Sequence, residues 1–409
     1  MLFKVEIENF LSIAEPVLID LRARKGMDDV LGRLSPIYKG SDERAPNVVA
    51  LFGPNAAGKT NVLRSITFAA WFTTSSFDWQ PHAPLPYEKF GSKEKIGEPT
   101  RLAFSFAGFV DFSNPTEDGA QCPYTYEVVL GPRRTSEGDG LEDEVLVEKI
   151  SYQPKGRGKP MTILERRGRE IAKSASGLID KGTRTALESV LHPRASIVST
   201  LARLNNPVAK NFVASVSAIY SDIFIEKVLI DDREVAKFYH QQPGAFELLK
   251  DVSGRIDLGI EDIKVVEYLD DLSLHFQHSG LDQIIPLRRE SEGTKNFVKV
   301  FPHIVQALAI GGIAIIDELD TTIHPILLPE ILRWFGDDKR NPNGAQLWMT
   351  CHSASLLSEL TKEEVLFCEK DQTGNTTVFK LSEIEGVRRT ENFYGKYMSG
   401  EYGAVPVIG

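Results

Sequence analysis

The densest chemistry in the chain is the run GPNAAGKT, from Gly53 to Thr60. Its residues Gly53, Pro54, Asn55, Ala56, Ala57, Gly58, Lys59 and Thr60 fit the G-x-x-x-x-G-K-[ST] spacing of a phosphate loop. Glycines let such a loop curl until successive backbone N–H groups face one phosphate, and a helix starting at Lys59 adds its positive N-terminal end. Lys59 supplies a point charge for the β- and γ-phosphates, and Thr60 places a hydroxyl where Mg²⁺ is ligated. Asn61, next in line, contacts the nucleotide or simply caps or packs. A second group stands far away in sequence, where the apolar run Ile313 to Ile316 ends in Asp317 and Glu318. Beside a phosphate loop, Asp317 would hold the metal directly or through water, and Glu318 would orient or deprotonate an attacking water. A third group, Ser291, Glu292 and Gly293, precedes a helical pattern. Alone it reads as an N-cap, and it is also a second helix start suited to an anion.

The elements that must position these residues follow from periodicity. LFKVEIENF alternates apolar and polar residues and, with Pro16 to Leu21, predicts an opening hairpin. PNVVALFG predicts a strand ending in the loop, and KTNVLRSITFAAWF predicts the helix after it. RLAFSFAGF, YTYEVVL and EVLVEKISYQ read as strands of an antiparallel subdomain, and the pattern from about Ala172 to Leu258 turns helical. Extended and helical stretches then alternate through GIAIID and QLWMTC, the rhythm of a helix-covered, mostly parallel sheet. Pro302 should kink or restart the helix that follows Ser291. The fold class expected is α/β: a P-loop core sheet with helices, an antiparallel β subdomain and an inserted helical lobe. The corresponding segments are 1–170 (phosphate loop and antiparallel subdomain), 171–258 (helical lobe) and 259–409 (acidic strand). VLFCEKD and TTVFKL read as a closing hairpin, and ENFYGKYMSGEYGAVPVIG as a tail packed on the same body.

Composition narrows the field. The 409 residues are 42% hydrophobic and 25% charged, as expected of an ordinary folded protein of two or three lobes. A formal charge of −10 argues against broad phosphate-backbone binding, though a local basic patch such as Arg166, Arg167, Arg169 and Lys173 remains possible; such runs usually form solvated faces. Three scattered cysteines, Cys122, Cys351 and Cys368, fit neither a disulfide framework nor a Cys-rich metal site. The apolar stretch Ile304 to Ile316 is too short to span a membrane, and Glu6 and Glu8 break any signal pattern, so a cytoplasmic protein is expected.

IENFLSI, GPNAAGKTN, SEGT, IAIIDELDTTIHP, QLWMTCHSASLL and YMSGEYGAVP together resemble the ABC ATPase superfamily, in particular the RecF/SMC-like branch and the AAA-type ATPases related to the OLD proteins of bacterial phage defence. The resemblance implies a magnesium-dependent ATPase whose Ser291, Glu292 and Gly293 contact, in trans, the ATP held by the partner subunit's phosphate loop. It also implies that Glu318 and His352 are catalytic, His352 as the switch histidine sensing the γ-phosphate, and that His324 lies near the D-loop position. Gln80, in FDWQP, is the candidate for the glutamine bridging metal and water. Ala56 stands where glycine is commoner, and SEGT lacks the glycine pair and glutamine of transporter signatures, which argues against an exporter subunit. The chain after His352 is too short for the Toprim nuclease of OLD proteins. The expected function is therefore a homodimeric, or larger even-numbered, ATP switch that senses a trigger or controls a separate nuclease or toxin. A RecF/SMC-like DNA-repair ATPase is the alternative, and a nucleotide kinase or other transferase a third possibility, disfavoured because no second substrate site is recognisable.

Overall fold

The computed structural model describes residues 1–80, 83–116, 118–134, 141–228, 230–255, 259–269, 271–323 and 327–405. In chain order, β1 (Leu2–Glu8) and β2 (Val17–Asp20) form the opening hairpin, and β3 (Leu34–Pro36) pairs with β4 (Arg44–Pro46) ahead of β5 (Val48–Phe52), the loop and α1 (Lys59–Ser75). Strands β6 (Thr100–Phe109), β7 (Gln121–Arg134), β8 (Leu141–Tyr152), β9 (Met161–Arg167) and β10 (Glu170–Ser174) follow. Helices α2 (Lys181–Val190), α3 (Ile197–Arg203) and α4 (Pro207–Val216) lead to β11 (Ile219–Ser221), then α5 (Asp232–Gln241) and α6 (Pro243–Arg255). The rest comprises β12 (Ile260–Tyr268), β13 (Asp271–His278), β14 (Ile285–Pro286), α7 (Glu292–Ile310), β15 (Ile313–Ile316), α8 (Leu319–Thr322), α9 (Leu328–Trp334), β16 (Gln346–Thr350), β17 (Val365–Lys370), β18 (Thr376–Lys380) and α10 (Phe393–Met398).

Two large sheets result. One is antiparallel, in the order β10-β9-β8-β7-β6-β1-β2. The other, ordered β11-β15-β16-β5-β17-β18, is parallel except for β18 at its edge. Because successive strand side chains point to opposite faces, the parallel sheet feeds two cores. Val48, Ala50 and Phe52 join α5, α6, α7 and α9 on one side, while Val49 and Leu51 join α1 and the antiparallel sheet on the other. All five residues of β5 are buried, as a central strand requires. Gln346 ties the sheets together: Leu2 N–H donates to its Oε1 (3.2 Å), and its Nε2 donates to Leu2 O (3.0 Å) and Pro46 O (2.9 Å).

The helical stretch divides between these cores. Leu187, Ile197, Val198, Leu201 and Ala209 of α2 to α4 pack toward the antiparallel sheet, whereas Val235, Tyr239, Leu249 and Val252 of α5 and α6 pack on the opposite face. Between them β11 joins the core sheet as a parallel neighbour of β15. Within the basic run, Arg166 is fully buried rather than solvated, with Nη1 donating to Ala195 O at 2.7 Å and Glu148 3.9 Å away. Helix α7 continues through Pro302 without a restart. Proline removes the N–H that would satisfy the carbonyl four residues earlier. That carbonyl, of Val298, instead accepts from the buried Tyr239 hydroxyl at 2.9 Å. The closing hairpin extends the core sheet, and the tail packs on it: Tyr397 stacks on Phe367 with ring centroids 5.3 Å apart, and Tyr402 lies 6.0 Å from the same ring. Among the described residues no helix is long and apolar enough to cross a membrane.

Candidate nucleotide site

The phosphate loop lies between β5 and α1, and its shape depends on glycine. Gly53 has φ 148°, and a Cβ there would lie 2.2 Å from the Cys368 carbonyl oxygen of β17. Gly58 has φ 97°, and a Cβ there would meet the Thr376 hydroxyl at 2.2 Å. Backbone conformation and close approach of β17 and β18 therefore both demand glycine at these positions. Ala56 adopts φ 62°, so the position where glycine is commoner is still left-handed here. Lys59 is buried, with Nζ donating to Gly53 O (2.8 Å) and Pro54 O (3.0 Å). Burial lowers its pKa from the ordinary lysine value, opposed by the carboxylates of Asp317, Glu318 and Asp320.

The acidic strand meets this loop directly. Thr60 Oγ1 donates to both Asp317 oxygens, at 2.9 and 3.2 Å, although the two residues are 257 positions apart. Thr350, at the end of β16, donates from Oγ1 to Asp317 Oδ1 (2.7 Å) and accepts the Glu318 N–H (2.7 Å). Glu318 sits at φ 55°, an uncommon conformation for a side-chain-bearing residue. His352 Nε2 is 3.1 Å from Glu318 Oε1, and the His352 N–H donates to Asp320 Oδ2 at 2.8 Å. An open cleft of about 590 Å³ is lined by Asn55 to Asn61, Glu318, Thr321, His352 and Lys370. The donor set fits a magnesium nucleotide: a backbone cradle that admits no Cβ at Gly53 or Gly58, a buried lysine, and a hydroxyl already paired with a carboxylate.

Residues 48–358 match the family model described as "AAA domain, putative AbiEii toxin, Type IV TA system". The chain belongs to this AAA family. It carries the family's P-loop, ATPase-type nucleotide-binding domain over most of its length. At low identity it is also similar to three solved structures. With the Smc head bound to the C-winged helix domain of ScpA it shares 11% identity, with a TM-score of 0.45 over 93% of this chain and 97% of that one. For the SMC head domain from Thermotoga maritima the values are 13%, 0.39, 93% and 98%. For the Smc head with an extended coiled coil, bound to the C-terminal domain of ScpA derived from Pyrococcus furiosus, they are 12%, 0.44, 93% and 96%. The comparison with curated proteins gave no match.

Other expected residues of this AAA chain stand apart from the cleft. Ser291 caps α7, accepting the Thr294 N–H at 3.1 Å, while Glu292 pairs with Lys295 at 2.5 Å; neither they nor Gly293 line the cleft. Gln80 is exposed and lies beyond the end of α1, whose 17 residues carry the chain about 25 Å from the loop. The metal-bridging role expected of Gln80 therefore has no geometric support. The aromatic loop is instead packed locally, with Trp79 edge-on to Trp71 at 5.3 Å and its Nε1–H donating to Pro84 O at 3.1 Å. His324 lies outside the described residues.

Asn61, together with several residues not singled out in the sequence, holds the site. Asn61 donates to the Ser12 hydroxyl (2.7 Å), Ser12 meets Thr376 Oγ1 (2.7 Å), and Thr376 donates to Ala57 O (2.9 Å), so the first hairpin and the last both clamp the phosphate loop. Asp222, two per cent exposed, accepts the Asp317 N–H on Oδ1 at 2.9 Å, and burial pushes its pKa up to about 6. Lys370 adds a further cation at the cleft. Polar residues at strand ends were the available signal for Thr350, Thr376 and Lys370, but such residues are common at strand ends, and only the fold brings these together.

Proposed function

We propose that the chain is an ATP-binding and ATP-hydrolysing switch that closes as a head-to-tail dimer around ATP and controls a separate effector. The observation that carries this reading is the direct bond between the two halves of the site, Thr60 to Asp317, with Glu318 and His352 at the mouth of the same cleft. Thr60 and Asp317 are the residues that would hold Mg²⁺, which supplies charge neutralisation for the phosphates. Lys59 offsets the charge of the β- and γ-phosphates, and the loop N–H groups orient them. Glu318 takes a proton from the attacking water, and His352, 3.1 Å away, orients that carboxylate and faces the γ-phosphate.

The dimer rests on Ser291. A hydroxyl-capped helix start outside its own cleft is an anion-seeking group in search of a second chain's nucleotide. The family's description as a putative toxin of a type IV TA system supports a toxin or phage-defence setting. A mixing experiment tests the arrangement. Lys59→Ala alone should lose ATP binding, whereas Ser291→Arg alone should bind ATP and lose turnover by about 100-fold. Mixed, each heterodimer holds one site with an intact loop facing an intact Ser291, and ATPase activity should partly return. An active Ser291→Arg monomer would refute the composite site.

A further inference from the structure

The segment that delivers Ser291 is short and held at both ends. Strand β14 pairs with β13 through His275↔Pro286 and Phe276↔Ile285, and only a turn, Leu287 to Glu290, separates it from the Ser291 cap of α7. Leu287, 2% exposed, anchors the turn in the same core as Phe276. Arg288 and Arg289 face solvent. Glu290, the residue immediately before Ser291, turns inward instead: its side chain is 5% exposed, and His278 Nε2 donates to its Oε1 at 2.7 Å. Among the described residues this imidazole is the carboxylate's one side-chain partner. His278 is the last residue of β13 and lies opposite Ile260 of β12, so a three-stranded sheet, not a loop, fixes its ring. On the other side, Ser291 Oγ meets Thr294 Oγ1 at 2.8 Å and accepts the Thr294 N–H at 3.1 Å. Ser291 is thus set by bonds within α7 and by one bond that crosses from its neighbour to the sheet. A nearly buried carboxylate that loses its donor is driven toward water, and the adjoining residue moves with it.

We infer that His278 is a positioning residue for ATP turnover, holding Glu290 so that Ser291 is presented to the nucleotide of a second chain. The inference rests on the composite-site reading above. Neither His278 nor Glu290 lines its own chain's cleft, so ATP binding at the phosphate loop does not depend on the pair.

In the full-length chain, His278→Ala should bind ATP with an unchanged Kd, read by calorimetry, and lose turnover by about 10-fold or more, the scale of a small displacement of a contacting group. His278→Gln, which keeps an N–H at nearly the same reach, should recover most of that loss. Adding Glu290→Ala to His278→Ala should cost little further, because the two changes break one bond. Mixing then assigns the damage to one half of the composite site. With Lys59→Ala, which brings an intact Ser291 segment, His278→Ala should regain ATPase activity; with Ser291→Arg it should not, since every site then lacks a correctly placed Ser291. Should His278→Ala fail to fold, Glu290→Ala takes its place in both mixtures. Wild-type turnover in His278→Ala, weakened ATP binding, no rescue by His278→Gln, or no recovery with Lys59→Ala overturns the positioning role. The control is Ser291→Arg mixed with Lys59→Ala: if that mixture stays inactive, the composite-site reading fails first and this inference falls with it.

Discussion

Replacing Thr350 with valine tests whether the acidic strand is held in its working position by a single hydroxyl. Valine nearly matches threonine in shape, and Thr350 is fully buried, so packing changes little. Two bonds are lost: the 2.7 Å donation to Asp317 Oδ1 and the 2.7 Å acceptance of the Glu318 N–H. A hydrogen bond to a charged group contributes roughly 1.5–3 kcal/mol, and an unsatisfied buried N–H costs roughly 1–3 kcal/mol. Thr60 still bonds Asp317, so the net penalty should fall at the low end, about 2 kcal/mol. It should appear twice. Urea unfolding should show about 2 kcal/mol less stability, and ATP turnover should fall about 30-fold if the distortion of Glu318 is felt mainly in the transition state. Thr350→Ser, which keeps the hydroxyl, should recover most of the turnover. Wild-type turnover and stability in Thr350→Val would refute the claim that this hydroxyl positions Asp317 and Glu318.

Glu318→Gln should retain ATP affinity and accumulate an ATP-bound dimer, because shape and metal ligands persist while the proton acceptor is gone; light scattering with ATP reads the dimer, and wild-type hydrolysis would remove Glu318 from the mechanism. Lys370→Ala should weaken ATP binding about 5-fold, the scale of one exposed charge contact, with Lys370→Arg close to wild type in the same titration. His303 lies within α7 with neither ring nitrogen hydrogen-bonded, and burial lowers its pKa to about 4. Its contribution to stability is complete above the unfolded value near 6.5 and is lost as pH falls through about 4, so His303→Leu should lose less stability than wild type between pH 7 and pH 4, as read by melting temperature.

What could be read in advance is what a local pattern encodes. The phosphate loop declares itself because glycine at positions 53 and 58 is demanded by backbone geometry, and β5 and β15 do so because buried parallel strands are continuous apolar runs. Assigning Gln80 requires knowing where the chain travels after α1, and the length of that helix carries the chain away from the loop. The sharing of α2 to α6 between two cores was hidden by β11, whose three residues are too few to show a period. The clamp of Ser12, Asn61 and Thr376 joins residues up to 364 positions apart, and no spacing rule reaches that far.

The position of Ser291 follows from the same logic of long-range repair. Helix α7 starts at Ser291 and ends at Gly311, whose left-handed turn leads within two residues into β15 and so to Asp317 and Glu318. A proline in the middle of such a helix would ordinarily separate its two halves. Here Tyr239, carried by α5, returns the missing hydrogen bond to Val298, and the 19 residues of α7 remain one helix of about 28 Å. One helix thus joins Ser291 to β15, and the strand's end is in turn fixed by Asp222 and Thr350. On the reading that Ser291 faces a second chain's nucleotide, α7 links each composite site to the acidic strand of the other.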